Sequence, residues 1–226
     1  MDDKPRSRVA VIVAHPDDEV LGAGGTMARH ASLGDDVHPV FLADGVGARG
    51  ADAAAAEKRA EAGRRAAMVV GVHPPRFLGF PDNRLDTVAL LDIIQAIERI
   101  IAEIAPDTVY THHAGDLNID HVICHRAVLT ACRPQPNCAV RRLYAMEVAS
   151  STEWGTPAQA FVPTHFVDIG AHGAAKRRAL EAYAEEMREF PHARSFAAIE
   201  SHDRARGAAI GLAAAEAFMV LRQIEA

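Results

Sequence analysis

The stretch that most restricts the fold is "RVAVIVA" (8–14), an unbroken apolar and largely β-branched run that stops against "HPDDE" (15–19). A strand with one wet face alternates apolar and polar residues, so a continuous run marks a strand covered on both faces. The theme then repeats. "GTMARHASLG" (25–34) has a helical pattern closed by Gly34, and "DVHPVFLAD" (36–44) reads as a second strand. "ADAAAAEKRAEAGRRAAMVVG" (51–71) is an Ala-rich helix ended by Gly71, and "PRFLGF" (75–80) is a third strand. Residues 85–104 keep apolar side chains at helical spacing, and "DTVYTHH" (107–113) is a fourth strand. Strand and helix in strict alternation predict a doubly wound, mostly parallel sheet with right-handed crossovers and helices on both faces, an α/β, Rossmann-like fold.

Beyond this the pattern loosens. A helix is expected near 120–133, a strand at 141–147, a Trp- and Pro-bearing loop at 150–163, a strand at 164–170, a charged helix at 172–189 and an apolar run at 216–224. No repeat, low-complexity tract or linker divides the 226 residues, and an apolar content of 49% supplies a substantial core. The expectation is a single domain over 1–226, with residues 134–226 extending the sheet begun by 8–133.

In open α/β sheets, ligands collect outside the carboxyl ends of the strands, at the point where the strand order reverses. "AHPDDE" (14–19) stands at the end of the first strand. "THHAGDLNIDH" (111–121), with three histidines and two aspartates, stands at the end of the fourth. In the common 3-2-1-4 order these strands are neighbours, so the two clusters are expected to share one crevice. Adjacent carboxylates repel and carry a desolvation cost, which calls for a positive partner. Imidazole and carboxylate without nearby cysteine suit zinc or another divalent transition metal, and three protein ligands with one open position describe a catalytic rather than a structural site. A pair of aspartates ahead of a helix is also a common N-cap, but the second cluster weighs for a site. "GAGGT" (22–26) is not a dinucleotide fingerprint: it begins eight residues after the strand and lacks the full G-x-G-x-x-G spacing. Gly22, Gly24 and Gly25 are read instead as permitting a turn and close packing.

Composition narrows the partners. A net charge of −6 and no basic block longer than "KRR" (176–178) argue against nucleic acid. No apolar run approaches the roughly 20 residues that span a bilayer, and no secretory h-region follows the N-terminus. Three cysteines without CxxC spacing fit reduced thiols and a cytoplasmic setting. Self-association into a homo-oligomer is compatible with all of this.

"AHPDDE", "LADG" (42–45), "KRAEAGRRAAMVVGV" (58–72), "LGFPDNRLD" (78–86) and "GDLNIDH" (115–121), in this order and spacing, resemble the LmbE-like (PIG-L) family of zinc-dependent de-N-acetylases. "EVASSTEW" (147–154), "FPHARS" (190–195) and "GLAAAEAF" (211–218) resemble one bacterial branch of it. The resemblance implies removal of an acetyl group from an N-acetylated amino sugar or its conjugate. It carries His15, Asp18 and His121 over as zinc ligands and Asp17 as the general base. Where many relatives have a histidine three places before the closing ligand, this chain has Asn118. Stabilisation of the oxyanion then falls to zinc with Asn118, or to His112, His113 or His192. Asp116 and Asp120 are expected to orient an imidazole or to cap a helix, and His125 to be structural. Arg59 and Asp82 match positions that contact sugar hydroxyls in relatives. His192 and Arg194 offer polar contacts for substrate, and Trp154 is either a sugar platform or a wedge burying its loop. Two other readings stay open: a noncatalytic Rossmann-like protein binding a sugar or nucleotide, and an amidase acting on a thiol conjugate.

Overall fold

The computed structural model describes residues 6–50 and 53–225. Its centre is β1 (Arg8–Val13), of which every residue after Arg8 is buried. The side chains of β1 divide by parity. Val9, Val11 and Val13 pack on one face with α1 (Asp18–Ser32), α2 (Ala53–Val70), α5 (Gly173–Ala182) and α6 (Phe196–Ala208). Ala10 and Ile12 pack on the other with α3 (Leu90–Ile104) and α4 (Ile119–Ala131). Covering both faces is what removes the polar alternation from the strand.

The sheet has seven strands in the order β3-β2-β1-β4-β5-β7-β6, comprising also β2 (Asp36–Ala43), β3 (Arg76–Phe80), β4 (Thr108–His112), β5 (Arg142–Met146), β6 (His165–Asp168) and β7 (Ala215–Gln223). The first five pair in parallel, and β7 runs antiparallel between β5 and β6. The expected 3-2-1-4 core is present. β1 pairs with both β2 and β4, which places the reversal of strand order between β1 and β4. Among the described residues no helix is long and apolar enough to cross a membrane.

Three elements differ from expectation. α1 begins at Asp18 rather than near residue 25, so the three glycines lie within it. A Cβ on Gly22 would come 2.7 Å from Met146 Sδ, and one on Gly25 would come 2.7 Å from Ile169 Cγ2. Close packing on β5 and on the chain after β6 thus overrides the poor helix propensity of glycine. The charged helix of 172–189 stops at Ala182. Residues 196–208, to which no element was assigned, form α6, capped by Ser195 Oγ accepting from Ala198 N at 3.1 Å.

Candidate metal centre

β1 delivers "HPDDE" directly into α1, and the turn is tight. Asp17, at the N-cap position, has φ +125°, a conformation unfavourable for a side chain with a Cβ. Its carboxylate makes no capping bond. Oδ2 is held instead by two guanidinium groups, Arg59 Nη1 at 3.2 Å and Arg194 Nη1 at 3.0 Å, while Oδ1 has no hydrogen-bond partner among the described residues. Pairing with two distant arginines of the same chain takes this carboxylate in place of a cap on α1. Burial pushes the Asp17 carboxyl above its usual range against the pull of Arg194 and Arg59. Glu19 turns back: Oε2 accepts from Asp17 N and Oε1 from Tyr183 Oη, and burial raises its carboxyl to about 8.

Asp18 is fully buried and faces the second cluster. Its Oδ2 lies 3.3 Å from His15 Nδ1 and 3.3 Å from His121 Nε2, and the three side chains form one group able to hold a metal ion. Tetrahedral zinc with bonds of about 2.0–2.1 Å sets neighbouring ligand atoms about 3.3 Å apart, so these separations match. Among the described residues Asp18 Oδ1 and His121 Nε2 are buried and make no hydrogen bond, the 3.3 Å approach of Nε2 to Asp18 Oδ2 being an ion-pair contact only. A buried polar atom so left costs of the order of 1–3 kcal/mol unless something absent from the protein's own atoms satisfies it. The donor set and its unsatisfied atoms fit a divalent cation.

Each imidazole is oriented from behind. His15 Nε2 lies 3.2 Å from Asp120 Oδ2 and 3.1 Å from Asp82 Oδ1, and His121 Nδ1 lies 3.2 Å from Asp116 Oδ1. A carboxylate on one ring nitrogen fixes the proton there and leaves the lone pair on the other for a metal. Burial by itself disfavours the charged rings. The carboxylates prevail nonetheless, raising His121 to about 9 and His15 well above its ordinary value. His15, Asp82 and Asp120 also form a compact group. Their oxygens are committed elsewhere, however: Asp120 accepts from Asn83 N and Leu85 N, and Asp82 accepts from Ala48 N. That group supports His15.

The remaining residues named from the sequence fall around this centre. Arg59 is buried, donates to Pro16 O at 2.9 Å and pairs with Glu186, so its place is inside the crevice rather than on a solvated helix face. Asn118 is the N-cap of α4: its Oδ1 accepts from Asp120 N at 2.9 Å, and its Nδ2 has no partner among the described residues. His112 stacks on His121 with ring centroids 3.8 Å apart and accepts from Ala14 N. His113 donates from Nε2 to Gln159 O at 2.7 Å. His125 donates from Nδ1 to His112 O. His192 accepts at Nδ1 from Arg194 N at 3.0 Å. Sequence reasoning left Arg194 without a role on Asp17 and did not single out Ser151 and Thr152. Ser151 Oγ and Thr152 Oγ1 both donate to the carboxylate of Asp116. The polar run "SST" ahead of the one tryptophan was the available signal; Glu186 had none.

A doubly wound sheet that gathers two imidazoles and a carboxylate able to hold a metal ion at its switch point has the layout of an α/β enzyme. The chain belongs to the PIG-L family, whose model, described as GlcNAc-PI de-N-acetylase, matches residues 10–132. It is 35% identical to a protein of Escherichia coli K12 named uncharacterized deacetylase YaiS, over 58% of this chain and 71% of that one. It is 29% identical to the 1D-myo-inositol 2-acetamido-2-deoxy-alpha-D-glucopyranoside deacetylase of Mycobacteroides abscessus, over 80% of this chain and 81% of that one. The fold is shared with the N,N'-diacetylchitobiose deacetylase of Pyrococcus horikoshii (TM-score 0.77, 17% identity, 96% of this chain and 84% of that one). It is also shared with GalB, the 4-carboxy-2-hydroxymuconate hydratase of Pseudomonas putida KT2440 (TM-score 0.78, 20% identity, 97% and 98%). A hydratase on the same frame shows that the reaction has to be argued from the site.

Proposed function

We propose that the protein is a zinc-dependent hydrolase that removes the acetyl group from an N-acetylated amino sugar or its conjugate, working inside the cell with its three cysteines reduced. The single observation that carries this reading is the division of labour on Asp17. Oδ2 is pinned by Arg59 and Arg194, and Oδ1 takes no hydrogen bond among the described residues, one position along the chain from Asp18 of the group His15, Asp18 and His121. These three residues would hold the ion. When bound, zinc is a Lewis acid that brings water to a reactive state near neutral pH and polarises an amide carbonyl.

Asp17 Oδ1 accepts a proton as water attacks the amide carbon, and returns it to the nitrogen as the C–N bond breaks, giving acetate and the free amine. A carboxyl held above its usual range is suited to both halves of that transfer. Asn118 Nδ2 is the protein donor assigned to the developing oxyanion, because its amide is fixed by the cap and the amide donor remains open. His113 Nε2 is already engaged with Gln159 O. Arg59 and Asp82 serve substrate through the groups they hold, Asp17 and His15, and His192 stands as the polar contact at the mouth.

The test is metal analysis of the purified protein joined to an amine-release assay over a panel of N-acetylated sugars. The expected result is about one zinc per chain and release from at least one sugar. His15→Ala and His121→Ala should each strip the metal, while Asp17→Asn should keep it and lose roughly 10²–10⁴-fold in turnover. Full metal occupancy in both histidine variants, or wild-type turnover in Asp17→Asn, refutes the reading.

A further inference from the structure

Ser7, Thr108 and Arg142 stand at the amino ends of β1, β4 and β5 and border a cavity of about 400 Å³ that also takes in the last turn of α1 and strand β6. The candidate metal ligands follow the carboxyl end of β1, so the two places lie at opposite ends of the sheet. Tyr110 and Tyr144, both buried, line the cavity together with Arg29, His30, Arg142 and His165. Burial lowers the His30 pKa, and Arg29 and Arg142 push it the same way against Asp35, so both guanidinium groups bear on one ring.

Acceptors near the arginines are committed. Asp35 Oδ1 accepts from Ser7 N at 2.9 Å, its Oδ2 holds His30 Nδ1 at 2.7 Å, and His30 Nε2 lies 3.1 Å from Tyr110 Oη. The last carbonyls of α1, which would repel an anion, accept from the backbone N–H groups of Leu33, Gly34 and Asp35. The donors are not committed. Among the described residues the Arg29 guanidinium meets no carboxylate and makes no hydrogen bond, and Arg142 uses only Nη2, on Ser7 Oγ and Asp107. Neither the His165 ring nor the Tyr144 hydroxyl is hydrogen-bonded among these residues, although Tyr144 is only 3% exposed. A hydroxyl enclosed in this way is costly unless a partner comes from outside the chain.

We propose that this cavity binds a phosphate monoester of a small polyol, of the size of a hexose phosphate. A phosphate offers acceptors to the open edges of two arginines, and guanidinium is the side chain best matched to it. A nucleotide does not suit the aromatic lining: Tyr144 is already stacked on Tyr110, with centroids 5.2 Å apart, and on His165, 4.6 Å apart, so its ring gives a base no open platform. Sugar hydroxyls suit what remains. Tyr144 Oη and His165 can each donate or accept, and Asp168, which also lines the cavity, has given only Oδ1, to Gly170 N. The volume is that of a small-molecule site. None of these groups belongs to the metal centre, so the proposal stands apart from the deacetylase reading.

Calorimetric titration of the metal-loaded protein with glucose 6-phosphate, inorganic phosphate and glucose tests this. The expected result is saturable binding of glucose 6-phosphate at one site per chain, at least tenfold tighter than either of the others and weakened by salt. Arg29→Gln should weaken it at least tenfold and Tyr144→Phe about fivefold, with melting temperature and amine release unchanged in both. His121→Ala, which loses the metal, should bind glucose 6-phosphate as tightly as the unsubstituted protein. Binding lost in His121→Ala would put the phosphate on the metal and overturn the proposal. Binding unchanged in Arg29→Gln overturns it too, as does inorganic phosphate bound as tightly as the sugar phosphate, which would mean an adventitious ion only. No binding of glucose 6-phosphate, together with an oligomer that Arg29→Glu dissociates, would assign the cavity to a contact between copies of the chain and equally overturn it. Binding that follows the expected pattern in a protein that releases no amine supports the site and counts only against the deacetylase reading.

Discussion

Asn118 carries two duties that a substitution can separate. Its Oδ1 caps α4, and its Nδ2 is the donor assigned to the oxyanion. Asn118→Asp keeps a good N-cap and removes the amide donor, so stability should hold while kcat falls on the order of 10²-fold. Asn118→Ala should lose the same activity and also about 1 kcal/mol of stability, read by chemical denaturation. Equal activity in Asn118→Asp and the unsubstituted protein would return Asn118 to a purely capping role. Behind the ligands, Asp116→Asn and Asp120→Asn should each weaken metal binding by roughly 10–100-fold, measured by competition with a chelator, because each removes the carboxylate charge that raises the basicity of an imidazole and fixes its proton. Much of this centre was legible in the chain. His15, Asp18 and His121 could be brought together from two strand ends, since strand order follows from alternation of elements. The partners of Asp17 could not. Arg194 lies 177 residues away, and no local pattern tells a guanidinium that meets a buried carboxylate from one that meets water.

At the scale of elements, α1 shows how a late strand completes an early helix. The helix kinks at Ala23, where φ is −145°, and near that kink the amides of Gly25 and Thr26 are met by a side chain from outside the helix. Glu216 on β7 accepts both, at 2.9 and 2.7 Å, and the buried Lys176 of α5 balances its charge at 2.8 Å while pairing with Asp203 at 2.9 Å. Sequence pattern marked 216–224 only as an apolar run, and it gave no sign that a carboxylate within it meets the amides of a helix 190 residues earlier. For the same reason the glycines read as a turn: their helical state depends on packing against Met146 and Ile169. Glu216→Ala should destabilise by about 3–5 kcal/mol, the cost of leaving Lys176 and the two amides with a partner missing. Burial lowers the Lys176 pKa, but Asp203 and Glu216 more than offset this and raise it above its ordinary value. Stability from a raised lysine is fully present below about pH 10.4 and is lost only as pH rises through the folded value. The penalty of Glu216→Ala in urea should therefore be the same at pH 6 and pH 9, and a loss that disappears between them would contradict the ion pair.

For the whole molecule, the crevice that would hold the metal joins distant parts of the chain. His15 and Asp18 follow β1, His121 sits in the first turn of α4, and Asp116, behind His121, takes its hydroxyl donors from the segment after β5. A cation bound there contacts elements that meet only in the native state, so its binding energy adds to folding energy. With free metal at 100 times its dissociation constant the gain is about 2.7 kcal/mol, and a chain of this size shifts by about 2–4 °C per kcal/mol. Chelation should thus lower the melting temperature by about 5–11 °C, and resupply of zinc should restore it. His121→Ala should melt at the same temperature with or without chelator, because its site no longer couples metal to folding. Since β7 lies between β5 and β6 and braces α1 through Glu216, residues 134–226 should not melt apart from 8–133. Calorimetry should then record one transition that moves as a unit when metal is removed. A second transition, unmoved by chelation, would make the C-terminal part an independent domain, and a melting temperature indifferent to metal in the unsubstituted protein would remove the cation from the native centre.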